Sequence, residues 1–309
     1  MSGQAQAKTV MKFGHGATEG SAVHYGWVKF KELVEKGTNG EIVVEIYPNQ
    51  QIGGDREMTE ATQLGNIAGC SPSTSPAAAF NPNFFVFDVP FMFADRAQAY
   101  ATLDGAPGKA ALKSCEKYEM KGLGFFENGF RNLTNSKRPV RAPADVQGLK
   151  FRTMENPLHM AAWRALGANP TPMAFGELFT ALQQKTVDGQ ENPMELIFLN
   201  KFFEVQRYLT KTQHIYTPYV ILMNLDLWKT LTPAQQTLFQ KSADEAVVYQ
   251  RNVATDLDKK AEEGIRKGGT EVLELTKQEL AAFQSATKVV LPEVKKRVDK
   301  EVYDQFIKE

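Results

Sequence analysis

Two arginines stand where their side chains could bind an anionic group. The run Val146–Arg152 leads into a predicted strand, and Arg152 lies at the end of that strand. Arg131 follows another strand, which is predicted at residues 121–127. A guanidinium group is planar, keeps its proton and offers a fork of N–H donors that fits a carboxylate. The alternative for Arg152, which fits most arginines, is a surface or structural ion pair. For Arg131 the alternative is a salt bridge that stabilises a hinge.

Several polar side chains fall in turns or loops where they could contact a small ligand. Asn192 offers both a donor and an acceptor, or else forms a turn or cap before Pro193. Ser73 and Thr74 lie in the loop after the third predicted strand, where their hydroxyls could bind ligand hydroxyls or a second carboxylate. His15 ends the first predicted strand, where it could touch a ligand or cap the chain locally.

Aromatic residues near these positions could cover the apolar side of a ligand. Phe175 begins a predicted helix, although a core position is the commoner place for phenylalanine. Tyr216 and Tyr219 fall near a predicted crossing between two parts of the chain, where they could stack or donate a hydrogen bond. Packing within a strand is the alternative for both tyrosines, and it is the interpretation favoured for Tyr219.

Catalytic and metal-binding patterns were not found in the sequence. The histidines at positions 15, 24, 159 and 214 form no HxH or HExxH pair, and there is no GxSxG, phosphate-loop or GxGxxG motif. Glu191 has no visible partner for acid–base chemistry. Cys70 and Cys115 match no zinc or redox spacing, so buried thiols are expected, with a disulfide left open. No metal or cofactor is expected.

The bulk composition narrows the classes of function. The length of 309 residues favours two lobes rather than one core. The 36 basic and 36 acidic residues balance, so the chain lacks the basic surplus typical of nucleic-acid binders. No apolar run approaches the roughly 18 residues needed to span a bilayer. The start, MSGQAQAKTV, has no charged or apolar region of an export signal; either no signal ever existed or the chain begins after its cleavage, which residues 5–7 weakly favour.

The elements that must position these residues alternate between strand and helix. The periodicity predicts strands at 10–16, 41–47 and 66–70, separated by helices at 21–36 and 55–65. This order implies a parallel sheet with helices on its faces, and such sheets bind ligands beyond the carboxyl ends of their strands. Those ends carry His15–Thr18, Pro48–Gly54 and Ser71–Ser75. Asp55 and Arg56 are interpreted as the start of the second helix.

The same alternation begins again after about residue 140, which predicts a second α/β lobe. The C-terminal third is helical, and the pattern at 233–268 is long enough to run across both lobes, with further helices at 276–286 and 289–307. The predicted division places 1–128 plus about 218–257 in lobe I, and 129–217 plus about 258–309 in lobe II. The ligand cleft is expected between them.

The run from 148 to 193 resembles the core signature of solute-binding proteins of TRAP (tripartite ATP-independent periplasmic) transporters of the DctP type. The matching pieces are GLKFR at 148–152, GANPTPM at 167–173, FGEL at 175–178 and VDGQENP at 187–193, with YPNQQIG at 47–53, DVPF at 88–91 and GFRNLT at 129–134. The similarity covers 12–260 in the same order, and the ordered set is far more specific than any one piece.

The resemblance implies a two-lobed periplasmic-binding-protein (Venus-flytrap) fold that closes around an organic anion. It places the family's carboxylate-binding arginine at Arg152 and a second family arginine at Arg131. It also implies that Asn192 faces the carboxylate or an adjacent hydroxyl and that Phe175 packs on the ligand. The loop of Ser73 lacks the acidic residue of sialate-binding relatives, which argues against sialate.

The expected function is therefore binding of a small organic acid in the periplasm and its delivery to TRAP permease membrane subunits. A sugar acid such as an aldonate or uronate is the leading ligand, then a C4-dicarboxylate, then an aromatic or keto acid. The alternative from another class is a cytosolic α/β enzyme acting on a carboxylic acid. A sensor-associated binder without a permease is not separable by sequence. A monomer is expected, although no residue pattern reports on oligomeric state.

Overall fold

The computed structural model describes residues 8–307. Residues 5–7, which weakly favour a cleaved export signal, lie outside this range. Within the described residues the strands form two sheets, one of five strands and one of six. We call the parts of the protein built around them the first and second lobes. Among these residues, none of the helices combines the length and the apolar character that crossing a bilayer requires.

The first sheet has the strand order β2-β1-β3-β10-β4. Its strands are β1 (Thr9–Gly14), β2 (Ile42–Tyr47), β3 (Gly69–Cys70), β4 (Met120–Phe130) and β10 (Tyr216–Asn224). The first three are parallel, as predicted, whereas β10 runs antiparallel to both β3 and β4. Gly69 is required at the β3–β10 contact, because a Cβ there would lie 2.2 Å from the carbonyl oxygen of Leu222.

The second sheet has the order β11-β9-β5-β8-β6-β7. Its strands are β5 (Asn132–Asn135), β6 (Lys150–Thr153), β7 (Asn169–Pro172), β8 (Gly189–Asn192), β9 (Tyr208–Thr210) and β11 (Glu271–Leu273). β6 pairs in parallel with β7 and β8, while β5 is antiparallel to β8 and β9. Both sheets are therefore mixed: the parallel pairing predicted for the first three strands is confirmed, and antiparallel strands complete each sheet.

Helices cover both sheets. They are α1 (Ala22–Gly37), α2 (Asp55–Gln63), α3 (Thr74–Ala77), α4 (Arg96–Asp104), α5 (Ala106–Ser114), α6 (Pro143–Val146), α7 (Pro157–Ala165), α8 (Leu178–Gln183), α9 (Met194–Leu199), α10 (Leu225–Thr230), α11 (Pro233–Lys267), α12 (Lys277–Thr287), α13 (Val290–Arg297) and α14 (Lys300–Phe306). Short 3-10 turns occupy Pro82–Asp88, Cys115–Tyr118, Phe175–Glu177 and Phe202–Glu204. Local sequence explains many of their starts: Thr232 and Thr276 each form a capping box with a Gln or Glu three residues on.

Helix α11 bridges the lobes, as the length of its pattern predicted. Near its start, Phe239 and Ala243 pack in the core of the first lobe with Trp27. Near its end, Ala261 and Ile265 pack in a core of the second lobe. Because one continuous helix joins both cores, no separate flexible linker is needed between them.

The last two helices return to the first lobe. Val290, Val294 and Val302 of α13 and α14 share a hydrophobic cluster with Phe84 and other residues of the apolar segment before α4. These contacts favour grouping residues 290–306 with the first sheet, which differs from the predicted division that assigned about 258–309 to lobe II. Cys70 and Cys115 are free and buried in the same cluster, as the interpretation as thiols expected.

Candidate functional site

A cavity lies between the two lobes, and the space there that no atom fills, including space open to solvent, is about 490 Å³. The carboxyl-end loops of the first sheet form one wall, and the ends of β6, β7 and β8 form the other. The lining residues are Gly16, Asp55, Ser73, Pro76, Asn128, Arg131, Arg152, Met154, Glu155, Met173, Ala174, Phe175, Asn192, Leu196 and Tyr219. Two of the three predicted loops after the parallel strands contribute to this lining, through Gly16 and Ser73, as the rule for such sheets predicts. From the loop after β2, none of residues 48–54 is among the lining residues, although Asp55 follows it directly.

Arg152 enters the cavity from the end of β6 and is 2% exposed. Its Nε and Nη2 donate to the carbonyl oxygen of Met173 at 3.0 and 2.7 Å, while its Nη1 is buried without a hydrogen-bond partner among the described residues. No carboxylate in residues 8–307 forms a salt bridge with it. Burial, and then the positive charge of Arg131, lower the pKa of Arg152 to about 10. The group therefore still carries its charge at neutral pH, and no residue within 8–307 forms an ion pair with it.

Arg131 lies at the crossing from β4 to β5 and has its counter-ion within the protein. Its Nε donates to Oε2 of Glu191 at 2.5 Å, and its Nη2 donates to Oε1 of Glu191 and Oδ1 of Asn192, each at 2.9 Å. Burial opposes ionisation of Glu191, but the charge of Arg131 and a contact with His214 outweigh it and lower the pKa of Glu191. The Nη1 of Arg131 remains without a partner among the described residues.

Further polar groups in the cavity wall have unused hydrogen-bonding capacity. Within residues 8–307, the hydroxyl of Ser73 and the side-chain oxygen of Asn128 are buried and have no partner. Asp55 accepts a bond from the backbone N–H of Ser73 at 3.0 Å through Oδ2, and no partner in the described chain is found for its Oδ1. Burial raises the pKa of Asp55 to about 6, although the N–H of Ser73 and the charge of Arg152 act in the opposite direction.

The structure brings five of the eight predicted site residues together in this cavity: Arg152, Arg131, Asn192, Phe175 and Ser73. His15 is not a lining residue but is fully buried beside the cavity. Its Nε2 lies 3.1 Å from Nδ1 of His24. Burial and His24 lower the pKa of His15 to about 3, so this ring is neutral.

Thr74 and Tyr216 are also absent from the cavity wall. Thr74 begins α3 and faces inward behind Ser73, which is the N-cap residue of that helix. Tyr216 packs edge-on against Phe93 and Phe130 in the hydrophobic cluster of the first lobe. The geometry therefore does not support ligand contacts from His15, Thr74 or Tyr216.

Ten of the fifteen lining residues were not predicted as ligand contacts, among them Tyr219, Asp55 and Asn128. Tyr219 reaches the cavity where Tyr216 does not, because residues three positions apart on one strand point to opposite faces of the sheet. Asp55 was interpreted as a helix start, which is correct, but its carboxylate also faces the cleft. Asn128 sits near the end of β4 and carried no signal beyond its type.

Comparison with known proteins identifies the family. Residues 13–297 match the model of the DctP family, described as bacterial extracellular solute-binding protein family 7. The chain belongs to this family. The binding protein is thus a member of a transport family, and the alternative of an enzyme acting on a carboxylic acid is not supported.

Individual relatives agree over nearly the whole length. The binding protein is 34% identical over 299 residues to the 2,3-diketo-L-gulonate-binding periplasmic protein YiaO of Escherichia coli, covering 97% of this chain and 87% of that one. A TRAP periplasmic solute-binding protein from Polaromonas sp. JS666, solved with D-erythronate, is 38% identical with a TM-score of 0.92, covering 97% and 98% of the two chains. One from Shewanella oneidensis, solved with succinate, is 30% identical with a TM-score of 0.92 and the same coverages. The two-lobed fold and the role as the binding component of a TRAP transporter are therefore established.

Proposed function

We propose that this protein binds a hydroxylated monocarboxylate, such as an aldonate or uronate, in the cleft between its lobes. Arg152 holds the carboxylate, and the protein passes the ligand unchanged to the permease subunits of a TRAP transporter. The observation that carries this proposal is that the Nη1 atoms of Arg131 and Arg152 are buried with no hydrogen-bond partner in residues 8–307, while both residues line one cavity. Buried donors on charged groups cost several kcal/mol when left unsatisfied, so a bound anion is the partner that fits.

The balance of charge in the cavity supports one carboxylate rather than two. Arg131 is already neutralised by Glu191, so Arg152 is the guanidinium that lacks an ion-pair partner among the described residues. Asp55 and Glu155 add negative charge to the wall. A second ligand carboxylate would lie within a small cavity that already contains these acidic groups, and like charges at short range repel.

The remaining polar groups suit ligand hydroxyls. A sugar hydroxyl both donates and accepts, so it can satisfy the oxygen of Asn128, the carboxylate of Asp55 and the hydroxyl of Ser73. Phe175 and Tyr219 supply apolar surface for the carbon chain. Relatives of similar identity bind D-erythronate in one case and succinate in another, so similarity alone does not choose between ligand classes. A C4-dicarboxylate remains second and an aromatic or keto acid third.

The location and the assembly follow from the same proposal. Relatives such as YiaO are named as periplasmic proteins, which supports a periplasmic location for this chain. The bound ligand would favour the closed state of the lobes, because it contacts both walls of the cavity at once. The proposed protein is a monomer that presents its closed form to the permease.

A thermal-shift screen tests the proposal directly. D-erythronate and succinate are a suitable pair, since both have four carbons but carry one and two carboxylates. A ligand at 100 times its dissociation constant stabilises a protein by about 2.7 kcal/mol, which shifts the melting temperature by several degrees. We expect the larger shift with D-erythronate and no turnover of either acid. A panel of sugar acids and dicarboxylates that leaves the melting temperature unchanged would refute the proposed function.

A further inference from the structure

Four fully buried polar residues form a hydrogen-bonded cluster directly behind the cavity. We call Ser75, Asp88, Asn156 and His159 the Asp88 cluster; each is at most 1% exposed. The carboxylate of Asp88 accepts from the Ser75 hydroxyl at 2.5 Å through Oδ1 and from Nδ2 of Asn156 at 2.6 Å through Oδ2. Nε2 of His159 lies 2.8 Å from Oδ1 of Asp88. Three groups therefore converge on one carboxylate.

The members of the Asp88 cluster come from different lobes. Ser75 lies on α3, which follows β3 of the first sheet, and Asp88 ends the 3-10 turn that follows α3. Asn156 and His159 are the N-cap residue and the third residue of α7, which connects β6 and β7 of the second sheet. The bonds from Asn156 and His159 to Asp88 therefore cross between the lobes, as does the bond from Nδ2 of Asn156 to the carbonyl oxygen of Ser75 at 2.9 Å.

Each side of the cluster adjoins a wall of the cavity. In the first lobe, Ser75 is the neighbour of Pro76, which lines the cavity. In the second lobe, Asn156 follows Glu155, which lines the opposite wall. Apolar packing surrounds these bonds, since Leu158 of α7 shares a hydrophobic cluster with Phe84 of the first lobe. A buried contact of this kind is costly to open, because it would expose both apolar surface and polar groups to be solvated again.

The Ser, His and Asp types of the cluster do not form a catalytic triad. The hydroxyl of Ser75 donates to Asp88 and lies 3.3 Å from Nε2 of His159, and that same ring nitrogen is the one facing Asp88. A triad needs the two ring nitrogens to face different partners. All three side chains are also closed to solvent and do not line the cavity.

We propose that Asp88 is a positioning residue: it forms a buried pivot that holds the two walls of the ligand cavity in register while the lobes open and close. Asp88 does not touch the ligand. It acts through Asn156, whose Oδ1 also caps α7 by accepting from the N–H of Leu158 at 2.8 Å. The inference rests on the proposed function only in taking the cavity as the ligand site.

The pair Asp88 and Asn156 allows a swap that separates positioning from general stability. Asp88→Asn replaces one carboxylate oxygen with an NH2 group, so the side chain can no longer accept both at the position facing Asn156 and at the position facing Ser75. Adding Asn156→Asp again pairs an amide with a carboxylate, and aspartate is an equally good helix N-cap. The introduced carboxylate cannot donate to the carbonyl oxygen of Ser75, to which Nδ2 of Asn156 donates at 2.9 Å. We expect Asp88→Asn to weaken D-erythronate binding at least tenfold and the double swap to recover part of that loss.

A second variant and a matched control cover the case in which Asp88→Asn folds poorly. Asn156→Ser keeps an N-cap side chain for α7 but cannot reach Asp88, so we expect the same tenfold loss. Ser75→Ala removes a bond to Asp88 within the first lobe and a longer contact of 3.3 Å with Nε2 of His159, but it leaves the three shorter bonds that join the lobes. We expect Ser75→Ala to bind D-erythronate within about threefold of the wild type, a difference of less than 1 kcal/mol.

The distance between the lobes gives a readout that does not depend on the ligand. Spin labels at Glu32→Cys on α1 and Thr180→Cys on α8 occupy exposed positions, one in each lobe. Cys70 and Cys115 are fully buried, and burial raises the pKa of each to about 12, so they should not react with the label. Without ligand, Asp88→Asn should broaden the distribution of distances between the labels.

The outcomes distinguish the two proposals. If the wild type binds neither D-erythronate nor succinate, the proposed ligand class fails, and the distance measurement still decides the pivot. If Asp88→Asn and Asn156→Ser lower the melting temperature but leave both ligand affinity and the distance distribution unchanged, the pivot is overturned and the cluster only stabilises the fold.

Discussion

Replacing Arg152 by glutamine should separate ligand affinity from the stability of the unliganded protein. The substitution removes the charge but keeps an amide that can still donate to the carbonyl oxygen of Met173. In the ligand complex, the wild-type guanidinium would face the ligand carboxylate inside a cavity from which most water is excluded. Removing one member of a buried ion pair typically costs about 3–5 kcal/mol.

The expected magnitudes differ between the two states. A loss of about 3–5 kcal/mol raises the dissociation constant roughly 100- to 5,000-fold. Without ligand, burial and Arg131 already disfavour the charge on Arg152, whose pKa is lowered to about 10. The lowered pKa of Arg152 corresponds to a penalty on the charged form of order 3 kcal/mol, which the neutral glutamine side chain avoids. Losing a hydrogen bond to Met173 offsets much of this gain, so we expect the unliganded stability to change by less than about 2 kcal/mol.

Isothermal titration calorimetry with D-erythronate measures the affinity, and urea unfolding without ligand measures the stability. Arg164→Gln is the matched control, because Arg164 is exposed on α7 and the substitution removes the same charge. Arg164→Gln should leave both quantities near those of the wild type. An Arg152→Gln variant that binds with near-native affinity would show that this guanidinium does not hold the ligand. A large loss of unliganded stability would instead indicate a structural role.

Three further predictions concern acidic residues. Asp55→Asn should lower the affinity for D-erythronate, because it removes an acceptor for a ligand hydroxyl, and raise the affinity for succinate, because it removes a repelling charge. Glu57→Gln on the exposed face of α2 is the control. Calorimetry that shows an unchanged ratio of the two affinities would contradict the role of Asp55. Burial raises the pKa of Glu195 from 4.5 to about 8, so the contribution of its protonated form to stability is full below pH 4.5 and is lost as the pH rises through 8, by at most about 5 kcal/mol. Urea unfolding at pH 5 and pH 9 should show that Glu195→Gln flattens this pH dependence of the stability. Parallel pH profiles for the variant and the wild type would refute this prediction. The pKa of Glu191 is lowered, so the contribution of its carboxylate to stability is present above pH 4.5 and is lost in acid. At pH 7, Glu191→Gln should lower the stability by about 3–5 kcal/mol, because it leaves Arg131 buried without the carboxylate it pairs with. A melting temperature equal to that of the wild type would exclude this role of Glu191.

Local patterns were sufficient for most helices and for the first strands. The apolar spacing of α1 and the capping residues of α11 lie close together in sequence, so the structure confirms their boundaries to within a residue or two. The predicted helix at 289–307 is instead broken between α13 and α14. Asp299 lies at that break, where its backbone N–H donates to the side-chain oxygen of Asn83 at 2.9 Å. This contact joins residues 216 positions apart, which periodicity alone does not reveal.

The site shows the same division. Arg152, Arg131, Asn192 and Phe175 were found because a family signature surrounds them, and all four line the cavity. The sequence did not predict that Tyr219 rather than Tyr216 lines the cavity. Every residue of β10 is buried, so the strand lacks the alternation of apolar and polar residues that distinguishes its two faces. Asn128 and Asp55 are polar residues at element ends, and such residues are common throughout the chain.

The sequence by itself determined the α/β class, the two lobes, the family and the arginine proposed to bind the ligand carboxylate, since these depend on local periodicity and on a motif of adjacent residues. The tertiary structure decided which groups share the cavity, which arginine is neutralised within the protein and how Asp88 joins the two lobes. These properties depend on burial and on distances of a few ångströms between residues remote in sequence. Hydrogen bonds and ion pairs act over that range, and a linear pattern of residues does not contain it.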